Sequence, residues 1–296
     1  MGQGILFLAL CLIGGAWGLS IPLAKVAVST GHHPIGLIVW EFAIAVGVVG
    51  TVSLFRKRGF SLSPARLAFF LVVAVFGTLV PQFVTYRVAA ELPAGILAIV
   101  IAIIPMFALP MAIALRLDSP EFRRVLGVIT GAVAIILLVG PETSLPDPAK
   151  VGFVFLALLI PFCYAIEANY VTMRDSEHLD AAHVLLGSAI VGLVLTFPVS
   201  LVTQTWISPL NPWGEAEWAL VALALLHATA YWGYFWLISA AGGVFASQIG
   251  YLVTGTGVLW SIILLGESYS GWIWAALALM MIGIGLVRPR EAPPDA

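Results

Sequence analysis

Apolar residues run along this chain in long blocks, and charged residues gather in the short stretches between them. Ten such blocks can be drawn, over 4–28, 34–55, 66–89, 94–117, 122–140, 151–173, 181–203, 217–240, 244–266 and 270–288. A helix rises about 1.5 Å per residue, so each block suits the roughly 30 Å of a bilayer's hydrocarbon core. The strict alternation of a barrel strand is absent, and helices satisfy their own backbone in lipid. The pattern therefore predicts an all-α integral membrane protein with ten transmembrane helices. The opening MGQGILFLALCLIGGAWG has no basic leader and stays apolar past any small-residue cleavage site, so it reads as the first span and not as a signal peptide.

A second pattern lies on top of the first. The stretch from Ala94 to Gly131 has a weaker echo 149 positions on, where Pro105 falls on Thr254, Asp118 on Glu267 and Gly127 on Ala276. The same offset places Thr78, Gln82 and Thr85 on His227, Tyr231 and Tyr234, and an offset of 147 places Trp17 on Tyr164. Internal repetition of this kind signals duplicated architecture. Five spans per copy is an odd number, so the second copy is inverted in the membrane, giving two inverted five-helix repeats. The expected divisions are a first repeat over 1–140, an external linker over 141–149, a second repeat over 150–290 and a cytoplasmic tail over 291–296.

Composition narrows the class. The chain is 61% hydrophobic and 9% charged, with mean hydropathy +1.07, outside the range of soluble domains. Its connections are too short for a soluble domain, so binding has to occur inside the bundle. A net charge of -2 gives no reason to expect a nucleic-acid partner. Cys11 and Cys163 both fall in apolar spans, which favours buried thiols over a disulfide. Of the 13 basic residues, ten share one side of the ten-span arrangement: Arg56, Lys57, Arg58, Arg66, Arg116, Arg123, Arg124, Arg174, Arg288 and Arg290. Lys25, Arg87 and Lys150 lie on the other. The positive-inside rule then places both termini in the cytoplasm.

Ionisable and polar residues at membrane depth are costly, which makes them candidates for function. Lys25 and Arg87 lie within a turn of the outer edge and can snorkel. Glu41 lies at a depth that suits either an ion pair with Lys25 or an outer gate. Glu167 either lines a polar vestibule with Tyr164 and Asn169 nearby or pairs with a cytoplasmic arginine. In the eighth span His227, Tyr231 and Tyr234 recur at i, i+4 and i+7 on one face. His227 there can hydrogen-bond a neighbouring helix, contact solute or relay a proton. Gln248, Tyr251 and Gly255 form a comparable stripe in the ninth span. Trp17 is too deep for an interface anchor and either fills the core or stacks on solute. Gly14-x-x-x-Gly18 and Gly127-x-x-x-Gly131 have the spacing for close helix packing.

At these residues the chain resembles the drug/metabolite transporter (DMT) superfamily, in particular its EamA-type members with ten helices in two inverted halves. The resemblance covers nearly the whole chain and rests on Trp17-Gly18, on Pro105 with Asp118, and on Leu265-Gly266-Glu267. The chain departs from the family where Thr254 stands for the second proline, Arg116-Leu117-Asp118 for the first Gly-Glu, and Trp40-Glu41-Phe42 for the usual Arg-Phe. The resemblance implies a secondary transporter of the bacterial inner (plasma) membrane that exports or exchanges small metabolites such as amino acids, nucleobases or aromatic or amphipathic solutes. It also implies alternating access at a cavity between the halves, with no cofactor.

From the residues themselves, the candidate solute contacts are Trp17, Gln82, Tyr86, Tyr164, His227, Tyr231, Tyr234 and Tyr251. Candidates for a coupled proton or a gate are His227, Glu167, Glu41 and Lys25. The competing classes are a passive channel and, less favoured, an intramembrane enzyme: no HExxH, Gly-x-Ser-x-Gly or paired acidic cluster is present.

Overall fold

The computed structural model describes residues 3–55, 63–140, 147–174, 181–241, 243–246 and 248–287. The cationic run Arg56, Lys57 and Arg58, most of the proposed linker 141–149, Arg288, Arg290 and the tail 291–296 lie outside the described residues. The helices of the first half are α1 (Gln3–Ala27), α2 (Pro34–Phe55), α3 (Pro64–Ala74), α4 (Val80–Ala89), α5 (Ala94–Ile101), α6 (Ile104–Ala114) and α7 (Phe122–Val139). Those of the second are α8 (Val151–Ala157), α9 (Leu159–Met173), α10 (Ala181–Val202), α11 (Glu215–Ala241), α12 (Gly243–Ala246), α13 (Ile249–Leu265) and α14 (Gly271–Leu286). No strand occurs among the described residues. Among the described residues, seven helical stretches have the length and hydropathy to cross a membrane, and α13 and α14 are shorter apolar helices.

Several predicted spans are interrupted, and proline accounts for three of the interruptions. Proline has no N–H to offer, and its ring crowds the carbonyl four residues back. Pro81 sits just after a π-helical turn over Val75–Leu79 that joins α3 to α4. Pro105 follows the break between α5 and α6, and Pro161 follows the junction of α8 with α9 at Leu158. The predicted span 244–266 is instead α12 followed by α13, with Gln248 at the N-cap of α13.

The packing repeats the sequence symmetry. Helix α1 packs on α11 and α13, and its counterpart α9 packs on α4 and α6. Helix α2 meets its counterpart α10, and α7 meets its counterpart α14. The contact of α2 with α11 is matched by that of α3 with α10. Each half thus completes the other.

Both glycine motifs lie at helix crossings. A Cβ on Gly18 would sit 2.2 Å from Thr256 Oγ1 and 2.9 Å from backbone atoms of α13. On Gly127 it would sit 2.7 Å from the Gly283 carbonyl of α14. The main core cluster runs through α5, whose residues 94–100 are all buried, and takes in Val154, Ala157 and Ile160 of the second half. Gly266 closes α13 in the left-handed conformation (φ +63°), and Glu267 after it reaches α5. Its two carboxylate oxygens accept from the Ala94 and Gly95 amides at 2.9 and 3.3 Å, satisfying donors that a helix start leaves free. The Tyr269 hydroxyl donates to the same carboxylate; burial, with Glu267 beside it, pushes this phenol above its ordinary range. In the first half the matching left-handed turn falls on Arg116 (φ 59°), and Asp118 turns back to Arg124 at 2.7 Å.

Candidate functional site

A cavity of ≈ 520 Å³ lies between the halves. Its walls contain both members of four polar or aromatic pairs aligned by the repeat: Thr78 with His227, Gln82 with Tyr231, Thr85 with Tyr234, and Trp17 with Tyr164; the aligned acids Asp118 and Glu267 lie outside it. Pro105 and its counterpart Thr254 line it as well. Duplicated positions thus face one another across a single space.

One wall is aromatic. Trp17 of α1 and Tyr231 of α11 have ring centroids 4.9 Å apart at 54°, and Tyr234 stands edge-on to Trp17 at 6.4 Å. The i, i+4, i+7 face of α11 therefore points inward, and Trp17 is a wall residue that also packs on the cluster around Leu10 and Leu237.

The opposite feature is a buried carboxylate. Glu41, 6% exposed, accepts from Gln82 Nε2 at 2.8 Å to each oxygen, and the Tyr86 hydroxyl donates to Oε1. His227 Nδ1 lies 3.2 Å from Oε2. The expected Lys25–Glu41 ion pair does not form. Lys25 Nζ instead donates to the carbonyls of Leu92 (2.6 Å) and Ala89 (3.2 Å), which the end of α4 leaves without helical partners. Lys25 and Glu41 match in depth, but the rotation of their helices turns them apart. For the same reason His227 meets Glu41 and not Glu167.

Glu167 lines the cavity from α9, between Tyr164 and Ala168. No hydrogen bond or ion pair reaches its carboxylate among the described residues; the expected arginine pairing is absent there, and Arg174 stacks over Tyr170 instead. The carboxylate lies against the π-turn, where a Cβ on Gly77 would come within 2.6 Å of it. Asn169 is turned away, bonding the carbonyls of Ala108 and Ala165.

Two of the expected solute contacts, Tyr86 and Tyr251, and the gate candidate Lys25 fall outside the wall. Tyr86 is fully buried beneath Glu41, Lys25 is at the bundle's edge, and Tyr251 points toward α14, where a Cβ on Gly285 would lie 3.0 Å from its hydroxyl. Sequence reasoning missed Gly77 and Ser188. Pro81, four residues after Gly77, was a signal for the first; Ser188 is one serine in an apolar run and gave none.

Among the described residues, ties between the halves concentrate at one end of the bundle. His32 Nε2 lies 2.6 Å from Glu217 Oε1, Lys150 Nζ lies 3.2 Å from Glu91 Oε2, and Glu267 caps α5. Trp40 stacks on Trp206 at 5.6 Å and donates to the Ile207 carbonyl at 3.0 Å. At the other end a smaller pocket, bordered by Asp118, Arg124 and Asn169, shares Pro105 and Ala168 with the central cavity.

Comparison with known proteins agrees with this architecture. The model of the EamA-like transporter family matches residues 3–140 and again 152–288. The chain therefore belongs to that family, a membrane transporter family of the drug/metabolite type. No curated protein matches it. Among solved structures, one described only as a crystal structure of a protein aligns with a TM-score of 0.66 over 96% of each chain at 16% identity. Likeness at that identity shows the shared fold alone.

Proposed function

We propose that this EamA-like transporter exports or exchanges a small solute by alternating access, with ten crossings arranged as two inverted repeats and both termini in the cytoplasm of a bacterial inner membrane. The observation that carries this reading is the single cavity walled by equivalent residues of both halves. A site shared by two inverted halves can open to either side as they rock. The tied end carries the connections that the basic-residue count places outside, so the conformation described is closed toward the exterior.

Solute contact is assigned to Trp17, Gln82, Tyr164, His227, Tyr231 and Tyr234. The purified protein in proteoliposomes is expected to show saturable uptake that preloaded solute accelerates. Trp17→Ala and Tyr231→Ala should each lower that exchange about tenfold or more, because aromatic anchors in desolvated sites dominate binding. Parental exchange in both variants would reduce the pair to core filling. A channel would show no acceleration by preloading.

His227 is the proposed seat of a coupled proton. Imidazole is the side chain whose unperturbed titration lies in the physiological range. It faces Glu41, with Tyr231 and Tyr234 on its own helix and Tyr86, Tyr164 and Glu167 contributed by neighbouring ones. His227→Gln, whose amide keeps a hydrogen-bonding group toward the solute but cannot carry the proton, is expected to lose accumulation driven by a pH gradient while retaining exchange at equal pH. Undiminished gradient-driven accumulation in vesicles would remove the proton from His227.

A further inference from the structure

We propose that the cavity selects solutes carrying one positive charge, an alkylammonium group on an aromatic or apolar body, and that Glu167 meets that charge. The proposal rests on the carrier reading above and deepens it.

The charge inventory points this way. Two carboxylates, Glu41 and Glu167, line the cavity, and among the described residues no lysine or arginine does. Glu41 is already occupied by donors from Gln82 and Tyr86 and by the His227 ring. Glu167 has no such partner among the described residues. A carboxylate at membrane depth without a counter-charge is unfavourable, and a bound cation removes that cost. The backbone makes room for the carboxylate: the π-turn brings Gly77 against it, and any side chain there would displace it.

The remaining wall suits the body of such a solute. Trp17, Tyr164, Tyr231 and Tyr234 present aromatic faces to the same space, and aromatic faces attract ammonium groups as well as apolar rings. An anionic solute would meet two carboxyl groups and no lysine or arginine among the described residues. A zwitterion would need a cationic partner for its own carboxylate, and His227, the single basic side chain in the wall among the described residues, is engaged by Glu41.

The test uses three compounds of nearly equal shape: 2-phenylethylamine, 2-phenylethanol and 3-phenylpropionate. Binding is measured by calorimetry on the full chain in lipid nanodiscs at neutral pH, and counterflow in proteoliposomes. The amine is expected to bind at least about tenfold more tightly than the alcohol, with the acid weakest. Glu167→Gln should erase that preference while leaving alcohol binding and the thermal unfolding midpoint near parental values, which separates loss of charge from loss of fold. Glu167→Asp should keep part of the preference. Equal binding of the three, no binding of the amine, or an undiminished preference in Glu167→Gln overturns the proposal. Counterflow of the alcohol or the acid as fast as the amine would also overturn it and leave the carrier reading standing. An amine that binds through Glu167 but gives no counterflow would retain this site and refute the carrier.

Discussion

Glu41→Ala is expected to destabilise the purified protein by about 3 kcal/mol or more and to abolish solute exchange. Its carboxylate organises three groups from two other helical segments: Gln82 and Tyr86 of α4 and His227 of α11. Removing it leaves their polar atoms without the acceptor around which they are arranged, and each such buried group costs about 1–3 kcal/mol. Tyr86, 1% exposed, has no route to water in compensation. Glu41→Gln keeps an acceptor and should retain most of the stability. Thermal unfolding of the three proteins in the same detergent checks this, and an unchanged midpoint in Glu41→Ala would mean that the cluster does not hold the halves together.

Gly18→Val should lower stability by about 1–3 kcal/mol through overpacking, with little opportunity for relief. The new Cβ would meet Thr256 Oγ1 at 2.2 Å and, at 2.9 Å, the Gly257 nitrogen and Val253 carbonyl of α13. Backbone cannot swing aside as a side chain can, so α1 and α13 have to separate. Trp17, the adjacent residue, would be carried away from Tyr231. The variant is therefore expected to lose folded yield in size-exclusion chromatography and solute binding together. Gly15→Val is the control, because a Cβ there meets nothing within 4 Å and should leave both properties near parental.

The fate of individual residues shows what the sequence could reveal. Length and hydropathy located the helices because the bilayer fixes both, and the repeat offset picked out the paired residues that line the cavity. Depth was readable as well: Glu41, His227 and Trp17 all lie well inside the bundle. Rotation about each helix axis was not readable where the surrounding pattern is uniformly apolar. Helix α2 is apolar on nearly every face, so nothing in its sequence turns Glu41 toward Gln82 and away from Lys25. Tyr251 failed for the same reason, since α13 packs on both α1 and α5 and offers more than one buried face. On α11, by contrast, three polar aromatics share a face, and that face is the one found in the cavity wall. The interruption between α12 and α13 had no proline to announce it. The π-turn did have one in Pro81, yet proline in a membrane helix gives a place for a distortion and not its form.

The central claim is that solute crosses by an exchange of access between two halves, which requires the tied end to open. In a background with Cys11 and Cys163 replaced, cysteines at positions 32 and 217 stand where His32 and Glu217 now join the halves at 2.6 Å. Joining them with a short bifunctional thiol reagent that a reductant can cleave should arrest solute exchange in proteoliposomes, and reduction should restore it. Exchange at the uncross-linked rate with the tether shown to be complete would contradict the account.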